Sequence, residues 1–554
     1  MKKLSTIILS SFFLLSCGSE QQQECLTNNK DILVGGSSGF ELSDVQVFKK
    51  NNGAEPGTLD PHRAEGVPAS NVLRDLYEGL VGEKPNGEYI PGAAESWEIS
   101  EDSKTYTFKI RRDAKWSNGD EVLAEDFVFS LRRSVDPQTL SNYSSMLYPI
   151  KNAREIVLGN LEPEALGVYS TDRKTFVVEL EEPTPYFLSL LTHSTTYPVH
   201  PKSIEKYGAS FTRPGNLVTN GAFVLADWRV QDYIKLDRSP TYWDDKNTTL
   251  ESVYYLPLDN PDSSLRRYRA NELDFTDTTP AEQLPWIRSC LGPELNISPY
   301  FGSYYYGFNT TKPPFKDNVK LRQALSMAID RSVITDIILG AGQIPAYGFV
   351  PPVKTYTGEK LDWAEWSQQE REEEALRLYA EAGYSFETPL EIEVVYNTSE
   401  NHKRVALAIA AMWKQVLGVK TTLRNQEWKV FLETRRLKED TEVYRAGWIG
   451  DYDDPYTFSE LLHSENEMNH SGFANQEYDG FLKTASEKNA GEERLSELKK
   501  AEKLMLEEMP IIPLYFYVSQ HLIKPWVSGL EGNVMDHHYS KYVKILKTET
   551  VNSE

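Results

Sequence analysis

Gly35-Gly-Ser37-Ser-Gly39 formally matches G-x-S-x-G, the turn that presents a serine nucleophile between a strand and a helix, and Ile32-Leu-Val34 before it reads as a short strand. The residues that follow, Phe40-Glu-Leu-Ser-Asp44, do not begin a helix, so a serine hydrolase is a poor reading. The nine histidines include no H-E-x-x-H. His537 and His538 are adjacent, and on a strand they would point to opposite faces. Asp453 and Asp454 lack the spacing of an acidic calcium loop. Three cysteines are too few for a four-cysteine zinc site or a disulfide scaffold. Taken alone, Asp451 reads as a loop aspartate turning the chain before Pro455. The expectation is therefore no enzyme, no cofactor and no metal.

The chain that must position such residues has 554 of them, enough for about three to four domain-sized units. It is 40% hydrophobic and 25% charged, an ordinary globular balance. A net charge of -23 argues against nucleic acid, whose phosphates need a basic face. The N-terminus reads as an address. Lys2 and Lys3 precede an apolar run from Leu4 to Leu15, too short for a bilayer span. The run ends Leu14-Leu-Ser-Cys17, similar to a bacterial lipoprotein processing site, so residues 1–16 are expected to be removed and Cys17 to carry lipid. Residues 17–30 then form a flexible tether. Cys25 and Cys290 either pair in an oxidising compartment or remain free.

Further on the elements alternate. Leu390, Ile392, Val394 and Tyr396 have the period of a strand. Val405, Ile409, Met412, Trp413 and Val416 then mark one apolar helix face, and Gly418 stands at the C-terminal cap. Val419 to Leu423 reads as the next strand, giving a βαβ unit and hence parallel sheet. Ser367 and Glu370 form a capping box for a helix to about Ala382, closed by Gly383. Tyr106 to Ile110 reads as a strand, Trp116 to Asp120 as a turn, and Asp126 to Arg133 as a helix. Two aromatic extended runs, Tyr300 to Phe308 and Leu514 to Val518, are the two crossings that a two-lobed protein needs at its hinge.

Eight stretches in one order resemble the extracytoplasmic oligopeptide-binding proteins of ABC importers, solute-binding family 5. They are Asn51-Asn-Gly-Ala-Glu-Pro-Gly-Thr-Leu-Asp-Pro-His62, Glu65-Gly-Val-Pro68, Ala94-Glu-Ser-Trp97, Asp113-Ala-Lys-Trp-Ser-Asn-Gly-Asp120, Pro214-Gly-Asn-Leu-Val-Thr-Asn-Gly221, Ser239-Pro-Thr-Tyr-Trp243, Asn425-Gln-Glu-Trp428 and Arg445-Ala-Gly-Trp448. The resemblance implies an α/β, two-lobed closing-trap fold of periplasmic binding proteins with an additional inserted domain. Lobe I would take residues 31–77, 203–301 and 518–554, the inserted domain II 78–202, and lobe III 302–517.

It also implies a ligand, short peptides of about two to five residues, handed to an ABC peptide permease in the inner membrane by a lipid-anchored monomer of the cell envelope. Murein peptides or another family solute are the alternatives. A carrier of many sequences must hold backbone and termini. Glu65-Gly66-Val67 and Gly447-Trp448-Ile449 resemble the family's ligand-pairing edges, and Asp451 its partner for the peptide ammonium. Arg435, Arg445 and His402 fall where the family places groups for the peptide carboxylate. Trp428, Trp448, Tyr143, Tyr300 and Tyr305 resemble pocket-lining aromatics. Two departures stand out. A further family lysine is replaced by Leu339, and a cysteine pair that enteric members carry across the hinge falls on Gly302 and Ile449.

Overall fold

The computed structural model describes residues 32–34, 41–352 and 356–550. The signal segment, Cys17, the tether, Cys25 and Ser37 lie outside the described residues. Ile32–Val34 is a strand, antiparallel to Thr548–Thr550. Cys290, at the end of helix Leu284–Cys290, is disulfide-bonded to a partner outside the described residues.

The architecture is α/β and two-lobed, with separate sheets and apolar cores. One four-stranded sheet has the order Val47–Asn51, Ser252–Leu256, Tyr233–Arg238, Phe223–Arg229, its first pair parallel. A second, antiparallel, joins Ala94–Ile99, Thr105–Ile110, Thr175–Glu179 and Val168–Asp172, with helix Ala124–Val135 packed on it. Their apolar residues merge into one core, from Phe48 to Phe275 with Val543 and Ile545. The other large core runs from Phe301 to Met535 around a mixed six-stranded sheet.

Local chemistry explains the elements that carry the site. Helix Glu400–Leu417 starts where the Ser399 hydroxyl accepts from the His402 N–H and stops at Gly418, whose φ of 75° suits a residue without a Cβ. Its face of Val405, Ile409 and Trp413 is buried, and the flanking strands Glu391–Asn397 and Lys420–Gln426 pair in parallel, so the βαβ unit forms. Ser367 and Glu370 close their capping box on helix Gln368–Glu381.

The two aromatic crossings are long strands, Leu295–Phe308 and Ile511–Leu522, and they pair antiparallel with each other. Between Pro299 and Ser303 the register slips, leaving Tyr300, Phe301 and Gly302 opposite Tyr517. Such a bulge bends and twists a ribbon, and here it lies where the pair passes from one core to the other. The lobes are closed. Tyr452, from the loop after strand Val443–Ile449, is buried in the first core and stacks on Tyr186 at 4.5 Å. Arg154 pairs with Glu465 at 2.6 Å across the same gap. Gly302 and Ile449 are direct cross-strand partners, and Ile449 Cδ1 lies only 2.5 Å from where a Cβ of residue 302 would stand. A side chain there would have to displace the isoleucine.

Candidate functional site

A cavity of about 380 Å³ lies between the lobes, and all fourteen residues singled out from the sequence line it: Glu65, Gly66, Val67, Tyr143, Tyr300, Tyr305, His402, Trp428, Arg435, Arg445, Gly447, Trp448, Ile449 and Asp451. Leu339 lines it too, adding apolar surface.

The two edge segments differ. Gly447-Trp448-Ile449 ends the strand Val443–Ile449, which pairs along its length with Phe308–Gly302 on one side. On the other side strand Glu391–Asn397 pairs with it only at Val443 and Tyr444. From Arg445 to Ile449 that second edge has no strand partner among the described residues. Unpaired backbone N–H and C=O groups are a template for an added strand. Glu65-Gly66-Val67 is not a strand edge. Val67 begins helix Val67–Leu76, and Gly66 at its N-cap has φ 85° and ψ 159°. Only glycine occupies that region readily, and a Cβ at residue 66 would lie 2.9 Å from Trp428 Cζ2 on the opposite lobe.

The charged groups also sort themselves. Asp451 follows the free edge. Its backbone N–H donates to Thr457 Oγ1 at 3.1 Å, and its one ion-pair contact among the described residues is His193 Nε2, at 3.6 Å. His193 Nδ1 accepts from the Thr195 N–H, and burial pushes the ring down to about 3, with Arg74 and His537 adding, so it is a neutral imidazole. The Asp451 carboxyl is therefore left without a compensating cation among the described residues. Burial first, and Glu460 second, push its pKa well above the ordinary carboxylate range.

At the start of the free edge Arg445 is the converse. Its guanidinium donates to Tyr517 Oη at 2.7 Å and Asn397 Oδ1 at 3.2 Å and lies 4.7 Å over the Tyr304 ring. Its Nε is buried with no hydrogen-bond partner, and no carboxylate pairs with it among the described residues. Arg435 is different from the expected free cation. Glu65, from the other lobe, stands 3.6 Å from it, and Asn142 donates to the same carboxylate. That pair joins the lobes. His402 also departs from expectation, because burial and then the Arg445 charge push it well below its ordinary value. It is a neutral ring beside Tyr304, able to offer one hydrogen bond but no standing charge.

The aromatics form the walls. Tyr143 packs between His193 at 4.9 Å and Trp448 at 6.4 Å, Tyr300 meets Tyr517, and Tyr305 sits edge-on to Phe349 as much in the core as in the wall. Trp428 Nε1 is a buried donor without a partner. His193, Tyr517, Arg74 and Asp277 also line the cavity and were not anticipated. Nothing in their local sequence marks them, since each acts through a neighbour far away in the chain.

Comparison with known proteins fits this geometry. The model of "Bacterial extracellular solute-binding proteins, family 5 Middle" matches residues 88–470. The periplasmic oligopeptide-binding protein OppA of Escherichia coli is 42% identical over 518 residues, 92% of this chain and 94% of the relative. The structure of Haemophilus influenzae OppA in complex with RPPGFSPFR superposes with a TM-score of 0.89 at 42% identity, over 92% of this chain and all of the other. The E. coli murein tripeptide binding protein MppA superposes at 0.89 in one structure (39% identical; 91% of this chain, 99% of the other) and at 0.65 in its unliganded open form (38%; 92% and 99%). The contrast between the two MppA forms agrees with closed lobes here.

Proposed function

The chain belongs to family 5 of the bacterial extracellular solute-binding proteins, and from that premise we propose that it captures short peptides between its lobes and delivers them to an ABC peptide importer. One observation carries the reading. A free strand edge, Arg445 to Ile449, runs between an uncompensated guanidinium and the uncompensated carboxyl of Asp451. A peptide is the complement of that array. Its backbone completes the ladder, its ammonium meets Asp451, and its carboxylate meets Arg445 with two hydrogen bonds. The peptide then runs antiparallel to the strand. At about 3.3 Å per residue the six steps from Arg445 to Asp451 span at most about 20 Å, which suits about two to five residues. RPPGFSPFR in the H. influenzae relative is longer, so longer guests would have to reach past Arg445.

Capture is binding without chemistry. The open form admits the peptide, and contacts to both lobes favour closure only because they exist in the closed form. The Glu65–Arg435 pair and the Tyr186–Tyr452 stack are part of that closed state. The lobe boundaries given above, a monomer, cleavage before Cys17 and a lipid anchor at the cell envelope go with this reading. Native mass spectrometry of the purified protein tests it. Co-purified peptides of mixed sequence support it, a single murein peptide replaces the general carrier by a murein-peptide carrier, and a non-peptide solute removes it.

A further inference from the structure

The wall of the cavity holds a cluster that peptide capture leaves unused. His521, on the crossing strand Ile511–Leu522, meets Asp536 and His538 from the coil that follows. His521 Nε2 lies 2.9 and 3.0 Å from the two Asp536 carboxylate oxygens, and His538 Nε2 lies 3.1 Å from one of them. All three ligand atoms fall within 4.8 Å of one another. His521 and Asp536 line the cavity, as does Asp277.

The hydrogen bonds decide what belongs between them. His521 Nδ1 is 2.8 Å from the Thr276 carbonyl oxygen, which only accepts, so Nδ1 carries a proton. A neutral ring then turns the lone pair of Nε2 onto a carboxylate at 2.9 Å. Two acceptors at that distance repel, so a positive centre must stand between them. A proton would satisfy one ring. Here a second imidazole Nε2 is turned onto the same carboxylate, so two rings and one carboxylate converge on one locus, which either two ring N–H donors or one bound cation satisfies.

A metal ion is such a cation. A ring held through its far N–H by a backbone carbonyl is the usual support of a metal-ligating histidine. Bonds of about 2.0–2.2 Å put neighbouring ligand atoms about 3 Å apart, close to the separations observed. Asp75, Asp536 and Asp277 act on Lys50 as neighbouring negative charges and Arg74 as a positive one. Lys50 lies 5.1 Å from the Phe275 ring on which His521 stacks at 4.4 Å. Two imidazoles and one carboxylate select first-row transition ions over magnesium or calcium, and they leave coordination positions open.

We propose that His521 Nε2, the Asp536 carboxylate and His538 Nε2 bind one divalent first-row transition-metal ion, of the zinc or nickel class, in the cavity wall. Spacing along the sequence does not bring these three residues together. His537 and His538 do point apart, His537 to Glu83 and His538 to Asp536, but the partner of His538 is a histidine on another segment.

The test uses untagged full-length protein, stripped with chelator and dialysed, then titrated calorimetrically with zinc chloride, nickel chloride and magnesium chloride. The expected result is one saturable equivalent of zinc or nickel, no magnesium binding, and visible d–d bands when cobalt(II) is added. His538→Ala and His521→Gln should each weaken binding at least about tenfold and alter the cobalt spectrum, with circular dichroism unchanged. The cobalt spectrum of the unmutated protein stands as evidence even if a variant misfolds. Absence of saturable zinc and nickel binding overturns the proposal, and so does binding with an unmoved cobalt spectrum in both variants.

Discussion

Replacing Asp451 with asparagine keeps the shape of the side chain and removes its charge, and the structure gives the consequences opposite signs. With peptide bound, the change deletes a charge-assisted contact in an enclosed site. Such contacts contribute about 1.5–3 kcal/mol, and losing one member of a buried pair costs about 2–5 kcal/mol. Taking about 2–4 kcal/mol, at about 1.4 kcal/mol per decade, affinity for a free-amine tripeptide such as trialanine should fall about 30- to 1000-fold. Without peptide the same carboxyl is a burden, since burial raises its pKa and no cation compensates it. The variant should therefore be the more stable protein when empty. Relief of about 1 kcal/mol corresponds to roughly 2–4 °C for a unit of this size. Calorimetric titration measures the first effect and scanning calorimetry of peptide-free protein the second. An affinity within threefold of the parent refutes the assigned role. A lower Tm with unaltered binding would make Asp451 a structural residue.

The raised pKa of Asp451 makes peptide binding proton-linked. The empty site keeps the Asp451 proton to higher pH than an ordinary aspartate does, and the incoming ammonium favours its release, so affinity declines with acidity at a higher pH than an ordinary aspartate would cause, and titrations in buffers of different ionisation enthalpy should report proton release that Asp451→Asn abolishes. Gly66→Ala should cost about 1–3 kcal/mol of backbone strain and push against Trp428, lowering Tm and leaving the peptide-loaded protein more open by small-angle scattering; an unaltered Tm and radius of gyration would contradict the close approach. Burial raises Glu460 to about 8, against the opposing hydrogen bond from Tyr452. The folded state thus holds this proton more tightly than the unfolded chain, so its stabilising contribution is complete below about 4.5 and is lost as pH rises through about 8. Glu460→Gln should leave Tm below about pH 4.5 little changed, raise it near neutrality and flatten its decline between about pH 4.5 and 8; parallel profiles would refute the assignment.

Local rules reached as far as local physics does. The helix Glu400–Leu417, its Gly418 stop, the Ser367 capping box and both crossing strands follow from periods and caps contained in a few consecutive residues. That the crossings pair with each other, and slip register at Tyr300–Gly302, depends on partners more than two hundred residues apart. The resemblance to known peptide carriers marked fourteen of the residues that share the cavity, but it did not give their electrical state. Arg435 looks like Arg445 in sequence. Only the fold shows that Glu65 pairs with the first while no carboxylate among the described residues pairs with the second. His402 carries no sign of its neutrality, because that comes from burial and from Arg445 on a strand far along the chain. Likewise His521 is unremarkable until Asp536 and His538 are folded against it.

The recognition scheme is examined most directly by titrating the unmodified protein with one tripeptide in two forms, amino terminus free or acetylated. Acetylation removes the positive charge while sparing the side chains, the carboxylate and nearly all the backbone. Capture at Asp451 predicts that the free form binds at least about tenfold more tightly, a difference of about 1.4 kcal/mol or more. Equal affinities would show that the cavity does not read the peptide's ammonium and would contradict the account.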